Sequence, residues 1–336
     1  MPPLYQLILK KILPIIIVLI LASGVYLWRI NLHEIHSSQI FRMDTIIELK
    51  AQGDHELSQK AFKAAMDELR RIDDAFGYRD SLVSRLNSSL YATDRELYRL
   101  IERSLEMNRL SNGGFSITLR PVLDVWGFSG THPYSPPSPE TLKSLPRHRT
   151  DKVIHLHEDR ATVTIDEGVM IDLGAIAKGY AADMAARAIK DCGVETGLVN
   201  AGGDIRTFGD RLWKIGIKNP RSQGIIATIP IKDKAIATSG DYERFFIDSG
   251  RRYCHIIDPE TYKPATGRIS VTVVAQNCMD ADAWATALFV KGIDPLRKTL
   301  KDKGIQWIVI DARGDIQASH GLKGFCPEKI QIGPAP

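Results

Sequence analysis

The chain has 336 residues, of which 44% are hydrophobic and 25% are charged. These values fit a folded protein with one large or two small domains, and they exclude a disordered chain, a collagen-like fibre and a membrane protein with many spans. The net charge is +4, and Lys10, Lys11 and Arg29 supply +3 of it because the first thirty residues hold no acid. The remaining chain is nearly neutral, so its charge gives no reason to expect a nucleic-acid partner.

The N-terminal segment is the first functional signal. Residues 12–28 carry no charge, and a helix of this length would span about 26 Å, near the lower limit for crossing a bilayer. Lys10 and Lys11 predict that the preceding end stays in the cytoplasm. We therefore expect residues 1–30 to form a membrane anchor. A cleaved signal peptide is the alternative, because the small residues of Leu-Ala-Ser-Gly at 21–24 suit a peptidase. Both interpretations predict export of the remaining chain.

Four cysteines follow, and none belongs to a Cys-x-x-Cys pair. The sequence therefore shows no pattern typical of a structural zinc site. Isolated thiols and one disulfide formed after export both remain open.

The first half of the exported part is predicted to hold one strand and two long helices. The strand lies around residues 43–50. Apolar residues spaced three and four apart over 61–76 predict an amphipathic helix. A second helix is predicted to begin after Asp94 as its N-cap and to end at the Ser-Asn-Gly-Gly of 111–114. Five prolines between 132 and 146 predict a loop or linker.

The second half alternates short strands with helices. Helices are predicted over 179–192, 281–290 and 295–303, the first of them ended by Gly193. Strands are predicted at 161–165, 197–200, 213–218, 225–231, 235–238, 253–257 and 271–275, with a closing hairpin at 305–319. Strands that occur in runs favour an α+β fold over a strict strand–helix–strand alternation.

Two turns of small residues could approach a ligand closely. Asp172 is followed by such a turn, which runs into a helix near Lys178, and a helix N-terminus beside a lysine can bind phosphate. Residues 200–204, Asn-Ala-Gly-Gly-Asp, follow a strand, and the paired glycines would let a flat ring or a phosphate lie against the main chain. An ordinary turn is the simpler explanation of each motif taken alone.

Two further clusters carry residue types suited to acid–base and metal chemistry. His255 follows a strand that ends among hydroxyl and carboxylate side chains, and a histidine can accept a hydroxyl proton near neutral pH. Asp282 and Thr286 are i and i+4 on a predicted helix, so their oxygens share one face and suit Mg²⁺. A structural histidine and a helix cap are the simpler explanations of these residues taken alone.

Five strings of sequence, in this order, resemble the ApbE-type flavin transferases, also called FAD:protein FMN transferases. They are DLGAIAKGYAAD, LVNAGGDI, AIATSGDYERFF, HIIDPETYKP and SVTVVAQNCMDADAWATALFVKG. Looser matches upstream, FRMDTIIEL and GGFSITLRPVLDVWGF, extend the resemblance to about residues 41–320. It implies an α+β, ApbE-like fold of mixed or antiparallel sheets with flanking helices. The implied organisation is an anchor or signal at 1–30, a juxtamembrane linker at 31–40 and a transferase domain at 41–330.

The resemblance also implies a site. It gives FAD contacts at Met43, Tyr78, Gly114, Phe115, Ser116, Asp172, Lys178 and Ile256. It gives a Mg²⁺ site at Asp282 and Thr286, with main-chain oxygens near Ala175 and Ala285. The sequence departs from the family pattern at Ser116, where Asp is usual, and at Tyr262, where Gly is usual. The first departure concerns an FAD contact and the second concerns a turn.

The implied reaction is the Mg²⁺-dependent transfer of the FMN part of FAD to a Ser or Thr hydroxyl of an acceptor protein, with release of AMP. His255 is our candidate for the base that accepts the hydroxyl proton. Export predicts a single-pass protein of the inner membrane, with its catalytic domain on the periplasmic side and a membrane redox subunit as acceptor. Two alternatives use the same residues. One is a Mg²⁺-dependent FAD pyrophosphatase that yields FMN and AMP, and the other is an exported flavin-binding assembly protein.

Overall fold

A computed structural model describes residues 34–77, 80–327 and 329–330. The predicted anchor at 12–28 and the predicted FAD contact Tyr78 lie outside these ranges. Within the described ranges, no helix combines the length and the apolar character that a membrane span requires. The described residues form an α+β fold in which all neighbouring strands pair in the antiparallel direction.

The centre of the fold is an eight-stranded sheet. In spatial order its strands are β1 (Ile35–Arg42), β2 (Thr45–Gln52), β6 (Thr196–Ala201), β7 (Asp204–Phe208), β10 (Ala235–Gly240), β13 (Arg268–Ala275), β14 (Gln306–Asp311) and β15 (Ile316–Ala318). Side chains alternate between the two faces of a strand. On β2 the alternate residues Ile47, Leu49 and Ala51 are fully buried, so this face of the sheet contributes to the main core.

Three helices cover that face, namely α1 (His55–Phe76), α7 (Ala177–Asp191) and α8 (Cys278–Lys291). Helix α7 packs between α1 and α8. Its buried residues are Ala, Gly and one Ile, and such small side chains allow the neighbouring helices to approach closely. Nine residues of α8 are buried, so this helix is apolar on nearly all sides and belongs to the core.

The opposite face of the sheet is covered by a separate hairpin. This hairpin is formed by β8 (Trp213–Lys218) and β9 (Ile225–Ile231). Its inward residues pack with Leu198, Ile236 and Ile308 of the central sheet in a second apolar cluster. The sheet is therefore buried on both sides, and the site described below lies on the helix-covered side.

The remaining elements surround these layers. A three-stranded sheet has the order β3 (Tyr91–Thr93), β5 (Thr162–Ile165), β4 (Ile154–His157), and β11 (Phe245–Asp248) pairs with β12 (Arg251–Cys254). The other α-helices are α2 (Leu82–Ser89), α3 (Arg95–Leu110), α4 (Arg120–Val125), α5 (Pro139–Ser144), α6 (Thr150–Val153) and α9 (Arg297–Asp302). Short 3₁₀ turns lie at Glu158–Arg160, Asp294–Leu296 and Lys323–Phe325.

The long predicted helices are confirmed with slightly wider bounds, and the predicted cap of α3 is confirmed in detail. The Asp94 side chain accepts hydrogen bonds from the N–H groups of Glu96 and Leu97 at 2.9 and 2.8 Å. The closing hairpin is confirmed as β14 and β15. The thiols of the four cysteines, all of which lie in described ranges, are free.

The prediction of a single strand at 43–50 is wrong in its start. Met43 and Asp44 have φ values of 53° and 57° and form the tight turn between β1 and β2. Strand β1 was not predicted because its sequence, IHSSQIFR, belongs to a partly exposed edge strand with weak alternation of apolar residues. The proline-rich segment also differs from a plain loop, since Ser138 caps the short helix α5 and Pro139 occupies its first turn.

Candidate active site

The turn that follows Asp172 is held by hydrogen bonds to the main chain. On α2, the side-chain amide of Asn87 donates to the Ile171 carbonyl at 2.9 Å and accepts from the Ile171 N–H at 2.6 Å. Asp172 Oδ1 accepts from the Gly174 N–H at 2.8 Å. These contacts fix the path of the chain into the N-terminus of α7.

Helices α7 and α8 approach closely at their N-terminal ends. A Cβ atom on Gly179 would lie 2.3 Å from the main-chain oxygen of Cys278 and 2.9 Å from Cβ of Asp282, so the position requires glycine. The Gly179 N–H donates to Asp282 Oδ2 at 3.1 Å. Further along α7, the carboxylate of Asp183 accepts hydrogen bonds from the N–H groups of Cys278 and Met279, each at 2.9 Å. The N-terminus of α8 is thus attached to α7, and the buried Asp282 lies against the first turn of α7.

Thr286 lies one turn beyond Asp282 on α8, so the two side chains share a helix face. Its Oγ1 atom is 3.3 Å from Oγ of Ser239 on β10. Ala285 is fully buried, and Ala175 packs partly buried against the main core. The four residues of the predicted Mg²⁺ site therefore belong to the turn before α7 and the first two and a half turns of α8.

Lys178, in the first turn of α7, forms an ion pair with Asp204, the first residue of β7. The Asp204 side chain is 3% exposed and the Lys178 side chain is 36% exposed, so the carboxylate lies behind the ammonium group. Burial disfavours the charged amine, but the carboxylates of Asp204 and Asp282 outweigh it and raise the pKa of Lys178 above its ordinary value. We refer to Lys178, Asp204 and Asp282 as the charged corner.

The charged corner has the chemistry of a Mg²⁺ site. Burial and the nearby charge of Asp204 raise the pKa of Asp282 to about 7, against the opposing effects of Lys178 and the Gly179 N–H. In the part of the chain that the structure describes, no group of three or more His, Cys, Asp and Glu side chains is arranged to hold a metal ion. A cation at Asp282 would therefore also need hydroxyl, main-chain and water oxygens, which Mg²⁺ accepts readily.

His255 directly follows β12 and is partly buried. Nδ1 lies 3.2 Å from the main-chain oxygen of Arg244. Because a carbonyl oxygen only accepts hydrogen bonds, Nδ1 carries the hydrogen and Nε2 keeps a lone pair. Burial and the charge of Arg244 lower the pKa of His255 to about 3, and the charge of Lys178 acts in the same direction. The ring is therefore neutral at neutral pH and lies within electrostatic range of the charged corner.

A pocket of about 490 Å³ contains the predicted contact Ser116. Ser116 Oγ lies 2.9 Å from Oγ1 of Thr150 and 3.0 Å from Oγ1 of Thr118, and all three residues line the pocket. Gly114 lies against α8, where a Cβ would be 3.1 Å from the Ala287 oxygen. We refer to this pocket as the hydroxyl pocket, after these three hydroxyl groups. Its lining also includes charged residues, namely Arg109, Arg149, Asp151 and Glu260.

The other predicted FAD contacts lie on separate elements. Phe115 is fully buried in the main core, so it supports the pocket wall from behind. Met43 lies in the turn between β1 and β2 and packs against the same core. Ile256 is buried, and its carbonyl oxygen accepts a hydrogen bond from the Ala265 N–H at 2.8 Å. The predicted contacts are thus spread over the β1–β2 turn, the hydroxyl pocket, the turn before α7 and the segment after β12.

Tyr262, one of the two departures from the family pattern, also lines the hydroxyl pocket. Its φ angle is 59°, in the left-handed region that glycine adopts at low cost. Contacts offset the strain of a larger residue, since the Tyr262 hydroxyl donates to the Pro146 carbonyl at 2.8 Å. The Trp126 indole N–H donates to the Tyr262 carbonyl at 2.9 Å. The turn can therefore hold either the usual glycine or this tyrosine at the position with positive φ.

Two acidic residues of this region, Asp183 and Asp204, make contacts that the sequence did not indicate. Asp183 is the last residue of the string DLGAIAKGYAAD, and its link to α8 could not be inferred from spacing alone. Burial raises the pKa of Asp183 to about 6, although the hydrogen bonds that it accepts from the N–H groups of Cys278 and Met279 lower it. Asp204 directly follows the paired glycines, and that position was the only available signal for its contact with Lys178.

A family model and the sequences of known proteins both match this chain, and they point to the same family. The model of the ApbE family matches residues 43–309. An FAD:protein FMN transferase of Klebsiella pneumoniae is 32% identical over 246 residues, which cover 71% of this chain and 75% of the relative. An FAD:protein FMN transferase of Treponema pallidum is 34% identical over 272 residues, which cover 72% and 74%.

Solved structures resemble the fold over nearly the whole described chain. The crystal structure of the ApbE protein of Thermotoga maritima has a TM-score of 0.81 and 33% identity, and the match covers 88% of this chain and 100% of that one. The flavin transferase ApbE of Vibrio cholerae has a TM-score of 0.74 and 26% identity, with 87% and 99% covered.

Proposed function

This chain belongs to the ApbE family, and we propose that it transfers the FMN part of FAD to a hydroxyl group of an acceptor protein, with release of AMP. One observation carries the proposal. The buried carboxylate of Asp282 accepts a hydrogen bond from the Gly179 N–H, beside the ion pair of Lys178 and Asp204. A carboxylate and a lysine at a helix N-terminus are suited to a diphosphate bound together with a cation.

We propose that Asp282 and Thr286 hold Mg²⁺ together with the main-chain oxygens of Ala175 and Ala285. Two observations support this set. Its donors are hard oxygens, and the carboxylate is buried with a pKa raised to about 7, so a cation would offset the cost of its charge. When bound, Mg²⁺ would neutralise charge on the non-bridging oxygens of the FAD diphosphate.

Lys178 would supply a second positive charge to the diphosphate. Its raised pKa keeps the amine protonated, and its side chain is partly exposed. The N–H groups of the first turn of α7 add a further partial positive charge at the same place. Asp172 would keep the preceding turn in position through its bond to Gly174.

His255 would act as the general base. The acceptor oxygen attacks the phosphorus of the FMN phosphate, where a new phosphorus–oxygen bond forms. The bond from that phosphorus to the bridging oxygen breaks, and AMP leaves with this oxygen. The hydroxyl proton passes to Nε2 of His255. The hydrogen bond from Nδ1 to the Arg244 carbonyl supports this role, because it leaves the lone pair of Nε2 free to accept a proton.

The same proposal covers the acceptor and the location. We propose a Ser or Thr of a membrane redox subunit as the acceptor and the periplasmic side of the inner membrane as the location. The uncharged stretch at 12–28 and the preceding Lys10 and Lys11 support a single-pass anchor. We expect the full chain in the membrane fraction. A soluble product that begins near Ser23 would contradict the anchor.

The deciding experiment measures transfer directly. The purified chain is incubated with FAD, Mg²⁺ and an acceptor domain, whose intact mass should rise by one FMN unit. EDTA should abolish the gain, and Thr286→Val should raise the Mg²⁺ concentration needed for half-maximal rate. An acceptor whose target Thr is replaced by Val is the matched control. Release of FMN and AMP at the same rate without acceptor would instead favour an FAD pyrophosphatase.

A further inference from the structure

Asp204 has no part in the reaction as proposed, although its motif is prominent in the sequence. We propose that Asp204 is a positioning residue, whose buried carboxylate orients the Lys178 ammonium group toward the FAD diphosphate without binding the metal. This inference rests on the proposed function. Three features of the fold support it, and they concern the turn before Asp204, the burial of its side chain and the freedom of Lys178.

The turn before Asp204 holds its main chain in place. Gly202 has a φ of 65°, and a Cβ at this residue would lie 2.4 Å from Oγ1 of Thr45 on β2. Asp204 itself pairs with Ala201 in the antiparallel register of β6 and β7. The turn lies directly against β2, and the strands on both sides of it are paired. The main chain at Asp204 is therefore fixed, and so is the point from which its side chain extends.

The exposed fractions of the two side chains show which member of the ion pair lies deeper in the protein. The Asp204 side chain is 3% exposed, whereas that of Lys178 is 36% exposed. A carboxylate buried to this extent requires a charged or hydrogen-bonding partner, and Lys178 supplies it. Asp204 therefore holds the ammonium group from the buried side, while the Lys178 side chain as a whole remains partly exposed.

The ion pair with Asp204 restricts the conformations of the Lys178 side chain. A lysine side chain has many rotamers, and restricting them costs free energy that a bound ligand would otherwise have to supply. The ion pair restricts them before FAD arrives. Asp204 Oδ2 is bound by Lys178, and the metal set proposed above contains Asp282 and not Asp204.

The test compares Asp204→Asn, Lys178→Met and the double variant with the unmodified chain. We expect Asp204→Asn to lower kcat for transfer about 10- to 100-fold, as is typical when a supporting carboxylate is removed. The Mg²⁺ concentration for half-maximal rate should change less than about twofold. The double variant should be no slower than Lys178→Met, because Asp204 acts through Lys178. Asp204→Glu, which keeps the charge, should recover part of the lost rate.

A matched control removes another ion pair that reaches α7. Glu96 binds Arg71 at 2.6 Å and accepts a hydrogen bond from the hydroxyl of Tyr180 on α7. Glu96→Gln should lower the melting temperature and leave transfer at 25 °C unchanged. If the rates of the Asp204 variants followed melting temperature in the same way as that of Glu96→Gln, the role of Asp204 would be structural and the inference would be wrong.

Three further outcomes would overturn the inference. A Mg²⁺ requirement raised as strongly as by Asp282→Asn would make Asp204 a metal ligand. Effects of Asp204→Asn and Lys178→Met that multiply in the double variant would make the residues independent. Unchanged transfer by Asp204→Asn, with an active unmodified chain, would refute this inference alone. Absence of transfer by the unmodified chain would refute the proposed function as well.

Discussion

The charged corner and the hydroxyl pocket are built in opposite ways. In the charged corner, Asp282 and Asp204 are buried ionisable groups whose positions depend on main-chain contacts between distant elements. In the hydroxyl pocket, Ser116 is one of three neutral hydroxyls that bond to one another. The first region depends on charge and close packing, and the second depends on small side chains that can exchange hydrogen bonds.

Both departures from the family pattern, Ser116 and Tyr262, line the hydroxyl pocket, and the residues of the charged corner match that pattern. The physical reason follows from the comparison. In the corner, a larger side chain clashes with the neighbouring helix, and removing one partner of the Lys178–Asp204 pair leaves a buried charge without compensation, which is costly. A hydroxyl in place of a carboxylate in the pocket finds new partners in Thr118 and Thr150. The following predictions test this contrast.

The largest effect is expected for Asp282→Asn. The amide keeps the shape of the side chain but is a poor ligand for Mg²⁺, so transfer should fall about 10³-fold at a fixed Mg²⁺ concentration. Since the substitution also removes a buried charge close to Asp204, the melting temperature should not decrease. Calorimetric titration with Mg²⁺ in the presence of FAD measures the lost affinity. Equal Mg²⁺ affinity of the two proteins would refute the metal site.

His255→Ala should reduce the rate of transfer about 10²- to 10⁴-fold, as is typical for the loss of a general base. The affinity for FAD should change much less, because the base acts on the acceptor hydroxyl. Flavin fluorescence titration and single-turnover transfer separate the two effects. A loss of FAD affinity as large as the loss of rate would show that His255 binds the substrate instead.

Gly179→Ala tests the close packing of the charged corner. Alanine favours a helix by about 1 kcal/mol over glycine, but here its Cβ would lie 2.3 Å from the Cys278 oxygen. We expect a net loss of stability of about 1–3 kcal/mol and a fall in rate of about tenfold. Gly324→Ala is the control, since a Cβ there meets no atom within 4 Å. A variant as stable and active as the unmodified chain would contradict the packing argument.

The pH dependence of the transfer rate should follow the titration of Asp282 and not that of His255. Below pH 7 Asp282 becomes protonated, because its pKa is raised to about 7, and the protonated carboxyl cannot bind Mg²⁺. At limiting Mg²⁺ the rate should therefore fall severalfold between pH 8 and pH 6, and saturating Mg²⁺ should move this fall to lower pH. His255, with a pKa of about 3, should contribute nothing in this range. An acid limb that does not respond to Mg²⁺ would contradict this assignment.

The smallest effect is expected in the hydroxyl pocket. Ser116→Asp places a charged acceptor beside the hydroxyls of Thr118 and Thr150, which can turn to donate to it. A hydrogen bond to a charged acceptor is worth about 1 kcal/mol more than one to a neutral acceptor. If FAD donates a hydrogen bond to position 116, as the implied contact requires, the aspartate variant should bind FAD severalfold more tightly while kcat stays within about twofold. Ser116→Asn is the uncharged control. Weaker FAD binding by the aspartate variant would show that the pocket requires neutral groups.

The parts of the fold with strong periodicity could be predicted from the sequence. Helices α1 and α3 follow from apolar residues at helical spacing, and the Asp94 cap of α3 follows from its residue type. Strand β1 could not be predicted, because half-exposed edge strands lack a regular apolar pattern. The i, i+4 spacing of Asp282 and Thr286 was enough to place both side chains on one helix face.

Contacts between distant segments could not be predicted from spacing. The bond from Gly179 to Asp282 joins residues 103 apart, and that from Lys178 to Asp204 joins residues 26 apart. Both depend on how α7 packs against α8 and β7, and local residue patterns do not specify such packing. For the same reason Asp183 and Asp204 were seen as parts of motifs, and their partners became visible only in the structure.

The attachment of α8 to α7 also determines when activity can first appear. Asp183 and Cys278 are 95 residues apart, so a nascent chain that has produced Lys178 still lacks the late helix and the carboxylate of Asp282. Unfinished or partly folded molecules would therefore be unable to cleave FAD.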